Sequence, residues 1–332
     1  MTGVQTCALP IFRVLNANRR ELERDFERAS EFDQSQVFQK VYENEFGMPG
    51  GIPFGVLIAD FAVRPFTTPE HPHDDLSFLR SMSRVAAAAF CPTIAGVHPS
   101  MFGLDQFSDM DYRVKHAETF EHLDYLKWRT LRDSEDARFL GLALPRVLMR
   151  APYQDDGTRV DGFVFQEEVT GPDRSKLLWG NAAYALGGVL IRTFAEAGWL
   201  ADIRGVRRDE ESGGIVPGLA QYDFSTDAAG LEPRGATDVH VSDELERQLS
   251  DLGFISLCHC PDTPYSAFYS TPSLQKPKKY DRANASQNAR ISSLLQHIFC
   301  ASRFAHYIKV MGRDRIGSLS GPAELEIGRA HV

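Results

Sequence analysis

Apolar residues recur along this chain with two periods, near 3.6 and near 2, and the two patterns alternate. Leu22, Phe26 and Ala29 share one face of a first helix, opened by Asn18 and Glu21 at the spacing of a capping box. Val37, Phe38, Val41 and Tyr42 mark a second helix that ends at Gly47. The Pro49-Gly50-Gly51 turn leads into a buried strand over 54–61. Asp74 caps a helix carrying Leu76, Leu79, Ala86, Ala87 and Phe90, which Pro92 stops, and residues 93–97 read as an interior strand. Residues 138–150 are mostly apolar but interrupted by Pro145, so helix and strand stay open there. Residues 163–167 alternate like a strand. A long helix follows over 177–199, where Ala182, Ala183, Ala185, Gly187 and Gly188 let a neighbour approach closely. The segment from about 207 to 238 is rich in Gly, Asp and Pro and reads as an irregular excursion. Ser242 then caps a helix ending at Gly253, and 254–259 form a further strand. The last predicted element is one helix capped by Asn284 and closed by Gly312. Its stripe is Ile291, Leu294, Leu295, Ile298, Ala305, Ile308 and Met311, with Arg290, Arg303, His306, Lys309 and Arg313 on the polar flank. Strands alternating with helices predict an α/β domain, a mixed β-sheet flanked by helices.

Composition narrows the function classes. Hydrophobic residues make up 43% and charged residues 24%, ordinary values for a globular chain. No apolar run approaches the ~20 residues of a membrane span, so no direct membrane insertion is expected. A net charge of −9 would repel phosphates and argues against nucleic acid as a partner. Cys91, Cys258, Cys260 and Cys300 show no CxxC pairing and suit a reducing cytoplasm. Asn284-Ala285-Ser286 matches a glycosylation sequon but reads more simply as the helix cap.

The candidate chemical motifs are weak. On a strand, Cys258 and Cys260 point to one face and His259 to the other, so the three cannot share a metal without bending. A zinc site also requires four ligands, and no second CxxC or HxxxH lies nearby. His71-Pro72-His73-Asp74-Asp75 precedes a capped helix and reads as a loop. Glu167 and Glu168 are adjacent, face opposite ways on a strand and cannot act as an acid/base pair. Gly47-Met48-Pro49-Gly50-Gly51 precedes a strand, whereas phosphate loops follow a strand and open a helix. No G-x-S-x-G elbow is present. The reading is a protein with no catalytic residue, no cofactor and no metal.

Five long passages carry a family likeness. They are 45–60 (EFGMPGGIPFGVLIAD), 128–153 (WRTLRDSEDARFLGLALPRVLMRAPY), 178–206 (LWGNAAYALGGVLIRTFAEAGWLADIRGV), 249–260 (LSDLGFISLCHC) and 274–318, which begins LQKPKKYDRANASQNARISS. In this order they closely resemble the large sheath subunit of the type VI secretion system, the TssC/VipB family. The resemblance implies a contractile-sheath-like domain and a structural subunit in a helical polymer. Implied partners are a small sheath subunit of the TssB/VipA type, further copies of the chain, an Hcp-type inner tube, the baseplate and a ClpV-type AAA+ ATPase that dismantles the contracted form. The implied location is the bacterial cytoplasm, within a membrane-anchored apparatus. The alternatives are the sheath of a phage-tail-like injection particle and, more remotely, a cytosolic metal- or nucleotide-dependent enzyme. Two features depart from the family's usual look: His98 in the turn over 96–103, and the Asp209-Glu210-Glu211 run.

In a contracting polymer the mixed-sign run Arg129, Arg132, Asp133, Glu135, Asp136 and Arg138 reads as a source of intersubunit ion pairs. Lys276, Lys278 and Lys279 around Pro277 form a compact positive point on an acidic chain, suited to an acidic patch on a neighbour. The candidate interface set is therefore Arg129, Arg132, Asp136, Arg138, Lys276, Lys278 and Lys279. The two ends read differently. DNA encoding residues 326–332, taken on its opposite strand, encodes residues 6–11, as sequencing adaptors would. The expected organisation is thus adaptor translation at 1–11 and 326–332, an N-terminal helical segment over 12–48, and a sheath core over 49–325.

Overall fold

The computed structural model describes residues 11–315, apart from 112, 156, 159, 161, 163, 170–173, 208–211, 222–234 and 261–262. In chain order the helices are α1 (Arg19–Arg28), α2 (Gln36–Phe38, continued by a π turn over Gln39–Glu43), α3 (Asp75–Ala89) and α4 (His116–Thr119). Then come α5 (Leu126–Asp133), α6 (Ala182–Ala197), α7 (Asp243–Asp251), α8 (Ala283–Ser292) and α9 (Leu295–Arg315). The strands are β1 (Leu57–Val63), β2 (Thr93–Val97), β3 (Leu140–Leu144), β4 (Val147–Leu148), β5 (Trp179–Gly180), β6 (Ile215–Val216), β7 (Phe254–His259) and β8 (Ser266–Phe268).

Six strands make one mixed sheet in the order β1-β2-β3-β7-β8-β6, with β4 and β5 paired separately. The pairs β1–β2, β2–β3 and β3–β7 are parallel, and β8 runs antiparallel to both β7 and β6. Every residue of β2, β3 and β7 is buried, as a parallel sheet covered on both faces requires. Alternate side chains feed two cores. Ala95, Val97, Leu140, Leu142, Leu144 and Phe254 meet Leu79 of α3, Trp128 and Leu131 of α5, and Leu245 and Leu249 of α7. Ile94, Ala143, Ile255 and Leu257 face Ala183, Leu186 and Leu190 of α6 with Leu295 and Phe299 of α9. A third cluster sets Val37, Phe38 and Val41 against Phe78, Met82 and Val85 on the outer face of α3.

The helix starts follow local chemistry. Asn18 and Glu21 form the complete capping box on α1, Asp74 accepts from Ser77 N at α3, and Ser242 accepts from Leu245 N at α7; each such cap contributes ~1 kcal/mol. Asn181 has two roles. Its Oδ1 caps α6 through Ala183 N, and its Nδ2 donates to the carbonyls of Ala59 and Phe61. Those carbonyls flank the register shift between Ala59 and Ala62, where β1 bulges against β2.

Close packing on α6 and α9 rests on glycine. A Cβ on Gly187 would stand 2.5 Å from Ile58 Cδ1 of β1. A Cβ on Gly141 would stand 2.8 Å from Leu295 Cδ1 and 3.1 Å from Ile255 Cδ1. Gly141→Val should therefore destabilise the fold by about 1–3 kcal/mol, the range for overpacked cores. A urea midpoint equal to that of the parent protein would mean that α9 is not seated on β3.

Several sequence expectations need correcting. The single helix over 284–312 is two helices, broken at Ser293–Leu294. The segment 271–273 inserts there: Ser273 N donates to Ser293 O, Leu295 N donates to Thr271 O, and Pro272 bridges Leu294. Asn284 lies inside α8, whose cap position is Arg282, and Gly312 lies inside α9. The predicted stripe divides accordingly. Leu295 and Ile298 are buried, whereas Ile291, Ile308 and Met311 are exposed, and His306 from the expected polar flank is buried. Residues 164–167 form no strand, and Phe163 lies outside the described residues. Glu167 instead takes a two-pronged ion pair from Arg150 at 2.6 and 2.9 Å and accepts from Tyr153 N. The helix expected from 177 begins at Ala182, because Trp179 and Gly180 pair with Leu148 and Val147. Within 207–238, Ile215–Val216 is a strand, while 208–211 and 222–234 lie outside the described residues.

The last helix also ties the chain to its beginning. Arg313 Nη1 donates to the carbonyls of Phe46 and Met48 at 2.9 and 2.7 Å. His306 Nε2 meets Ala89 O at 3.0 Å, its ring lies edge-on to Phe46 and Phe90, and the Lys309 ammonium sits 4.2 Å above the Tyr42 ring.

Candidate assembly surface

The two charged runs picked out in the sequence meet in space. Helix α5 buries Trp128 and Leu131 and carries Arg132 beside them. After α5, a 3-10 turn over Asp136–Phe139 feeds the chain into β3. The segment before α8 runs alongside: Leu274 N donates to Leu140 O, and Lys276 N donates to Arg132 O at 2.8 Å. Lys278 Nζ then reaches Glu135 Oε1 at 2.9 Å. That contact, with Arg138 3.4 Å from Oε2, holds the Glu135 carboxyl below its usual range.

The seven candidate residues have different surroundings. Arg132 is 7% exposed. Its Nε donates to Leu274 O at 3.1 Å and its Nη2 to Asp251 O, the last residue of α7, at 3.3 Å. Burial pulls its pKa down to about 10, with nearby Asp133 opposing the shift. Arg132 is thus an internal tie between α5, α7 and the loop at 274. Arg129 Nη1 closes the preceding turns by donating to Phe120 O and His122 O, each at 2.9 Å. Arg138 Nε donates to Glu135 O. Lys276 and Lys278 are exposed. The side chains of Asp136 and Lys279 form no hydrogen bond or ion pair among the described residues. Arg290, paired with Asp251 at 3.4 Å, extends the charged surface onto α8.

A second surface includes Ile308 and Met311, which the sequence predicts on the buried stripe. Phe304, Tyr307, Ile308 and Met311 of α9 are exposed, Phe304 at 59% and Ile308 at 65%. Their i, i+3, i+4, i+7 spacing makes a stripe distinct from the buried one through Leu295, Phe299, Ser302 and His306. Two apolar stripes on one helix were the available signal. Trp199 lies edge-on to Phe304 with ring centroids 5.1 Å apart, and Arg303 flanks the stripe over the rings of Phe194 and Tyr307.

The other motifs take structural places. Cys258 is buried, which pushes its thiol pKa upward, and Cys260 Sγ lies 3.6 Å from Tyr269 Oη. His71 Nε2 pairs with Asp75 Oδ2 at 3.0 Å and His73 Nδ1 with Glu23 Oε2 at 2.5 Å, joining the loop before α3 to α1. Among the described residues no group of three or more His, Cys, Asp or Glu is arranged to hold a metal ion.

Residues 5–275 match the EvpB/VC_A0108 tail sheath N-terminal domain, and residues 284–328 match the tail sheath gpW/gp25-like domain. The chain belongs to the VipB tail sheath family. It is 37% identical over 316 residues to the type VI secretion system sheath protein TssC1 of Pseudomonas aeruginosa, across 95% of this chain and 61% of that relative. The chain therefore spans about three fifths of the curated relative. Within the tail sheath family frame, the division between the two matched domains falls between 275 and 284. The lysine run Lys276, Lys278 and Lys279 sits in that seam, and α8 opens the second domain.

Proposed function

We propose that this chain is a structural subunit of a type VI secretion contractile sheath and works through contacts between subunits. The observation that carries this reading is the succession of two tail sheath domains along the chain, together with its similarity to TssC1. On this reading it pairs with a small sheath subunit and polymerises with further copies around an Hcp-type tube, on the cytoplasmic side of the apparatus. A baseplate starts the polymer and a ClpV-type ATPase recycles it. Among the described residues no helix is long and apolar enough to cross a membrane. Contraction is a switch between two packings of the same subunits, so the work comes from interfaces and requires no turnover.

Solvated ion pairs suit such a switch. Each is worth about 0–1 kcal/mol in water, so it breaks readily while still fixing register and partner. Asp136, Arg138, Lys276, Lys278 and Lys279 are the residues proposed for that role, with Arg129 and Arg132 holding the surface in shape from inside. The double change Lys278→Glu, Lys279→Glu should leave folding intact and reduce sheath assembly several-fold, counted as tubes per field by electron microscopy. Undiminished tube formation would remove this surface from the interface. The broader reading is tested by coexpressing the full-length protein with a small sheath subunit. Tubes of regular diameter are expected. Monodisperse small particles that turn over a small molecule would sink the proposal.

A further inference from the structure

Outside the assembly surface, the carboxyl ends of β1, β2 and β3 bring cationic side chains together. Val63 pairs with Val97, so Arg64 and His98 are the next residues along neighbouring parallel strands. The register of Gly96 with Ala143 places Arg146 just beyond the end of the third strand. His98 N donates to Val63 O at 3.0 Å, fixing the first two ends side by side. The carboxylates nearby are already engaged. Asp75 Oδ1 accepts from Arg19, and its Oδ2 accepts from Arg64 N and meets His71 Nε2. Asp238 gives one oxygen to Arg146 N and the other to Arg146 Nε, at 3.0 and 2.7 Å.

Three donors remain without a protein acceptor among the described residues: the Arg64 guanidinium, the Nη groups of Arg146, and one edge of His98. The His98 tautomer follows from its other edge. Nδ1 accepts from Ser100 N at 3.2 Å and lies 2.8 Å from Ser100 Oγ, so the ring proton sits on Nε2. These groups are close enough to act on one another. Burial first, then the charges of Arg64, Arg146 and His71, with Asp75 opposing, bring the His98 pKa down to about 4. Two guanidiniums and an imidazole N–H suit a compact oxyanion with several acceptor oxygens.

We propose that Arg64, His98 and Arg146 form a binding site for a small phosphate-type oxyanion at the carboxyl edge of the sheet. Occupancy places negative charge between two arginines and beside the imidazole, so the bound anion favours the protonated ring. This inference is independent of the sheath reading and is tested without assembly.

The His98 ring is followed by NMR in the full chain while inorganic phosphate is titrated at constant ionic strength. The expected result is a saturable shift of the ring signals and a rise of at least one unit in the His98 titration midpoint. Arg64→Gln, at a guanidinium with no hydrogen bond or ion pair among the described residues, should weaken phosphate binding at least tenfold. An equal response to chloride at matched ionic strength would overturn the proposal, since it would report screening alone. Unchanged saturation in Arg64→Gln would overturn it as well, because the anion would then be held elsewhere. Saturation by acetate with none by phosphate would also reject the phosphate assignment.

Discussion

Trp128→Ala is expected to remove about 3–5 kcal/mol of folding stability, the cost of truncating a large aromatic in a core. Trp128 is fully buried and stacks on Phe254 with centroids 5.5 Å apart and planes 13° from parallel. Phe120 lies 5.7 Å from the Trp128 ring and Phe102 5.0 Å from Phe254, so one aromatic cluster locks α5 to the start of β7. Each such pair adds ~0.5–1.5 kcal/mol beyond area burial. Domains of this kind are stable by only ~5–15 kcal/mol, so the loss is a large fraction of the total. A control isolates the cause. The indole Nε1 has no acceptor among the described residues, so Trp128→Phe forfeits no hydrogen bond there and should cost well under half as much. Urea unfolding followed by far-UV circular dichroism gives both values. A Trp128→Ala protein within about 1 kcal/mol of the parent would mean that the stack does not hold α5 in place.

Arg132→Ala should follow closely, at about 3 kcal/mol. Among the described residues its buried guanidinium meets no carboxylate directly; it is held by the carbonyls of Leu274 and Asp251. Asp251 ends α7, where the helix dipole is negative, so the carbonyl there is a favourable acceptor for a cation. Hydrogen bonds to charged groups contribute ~1.5–3 kcal/mol, and truncation also strands the buried carbonyl of Leu274. Arg132→Lys should rescue little, because one ammonium lacks the fork that reaches both carbonyls. Lys278→Ala, which removes an exposed pair with Glu135, should stay within about 0.5 kcal/mol of the parent. The reverse order of these two effects in chemical denaturation would refute the division between internal tie and surface charge.

What could be read from the sequence was what local chemistry decides. Asn18 with Glu21, Asp74 and Ser242 announce helix starts because their side chains satisfy free N–H groups within a few residues. Thr93–Val97 and Phe254–His259 are legible with their observed bounds, being short apolar runs between clear breakers. The misses have tertiary causes. Nothing in Ile291-Ser292-Ser293-Leu294-Leu295 stops a helix; the break comes from a segment some twenty residues upstream that takes over its backbone bonds. Arg132 looked like one more surface charge because nothing local reveals that α7 ends beside it. The charged runs at 129–138 and 276–279 are both visible in the sequence, but their contact through Lys278 and Glu135 depends on β3 and the loop at 274 lying together.

The grip of Arg313 on Phe46 and Met48 has a consequence for biosynthesis. The bonded groups stand 267 and 265 positions apart, so nearly the whole described chain must be made before they can meet. While the ribosome is still extending the polypeptide, the turn around Phe46 has neither its arginine clasp nor the imidazole that packs against its ring. Helices α1 and α2 can already pack on α3, so what waits for α9 to leave the exit tunnel is the turn around Phe46, held by Arg313 and His306.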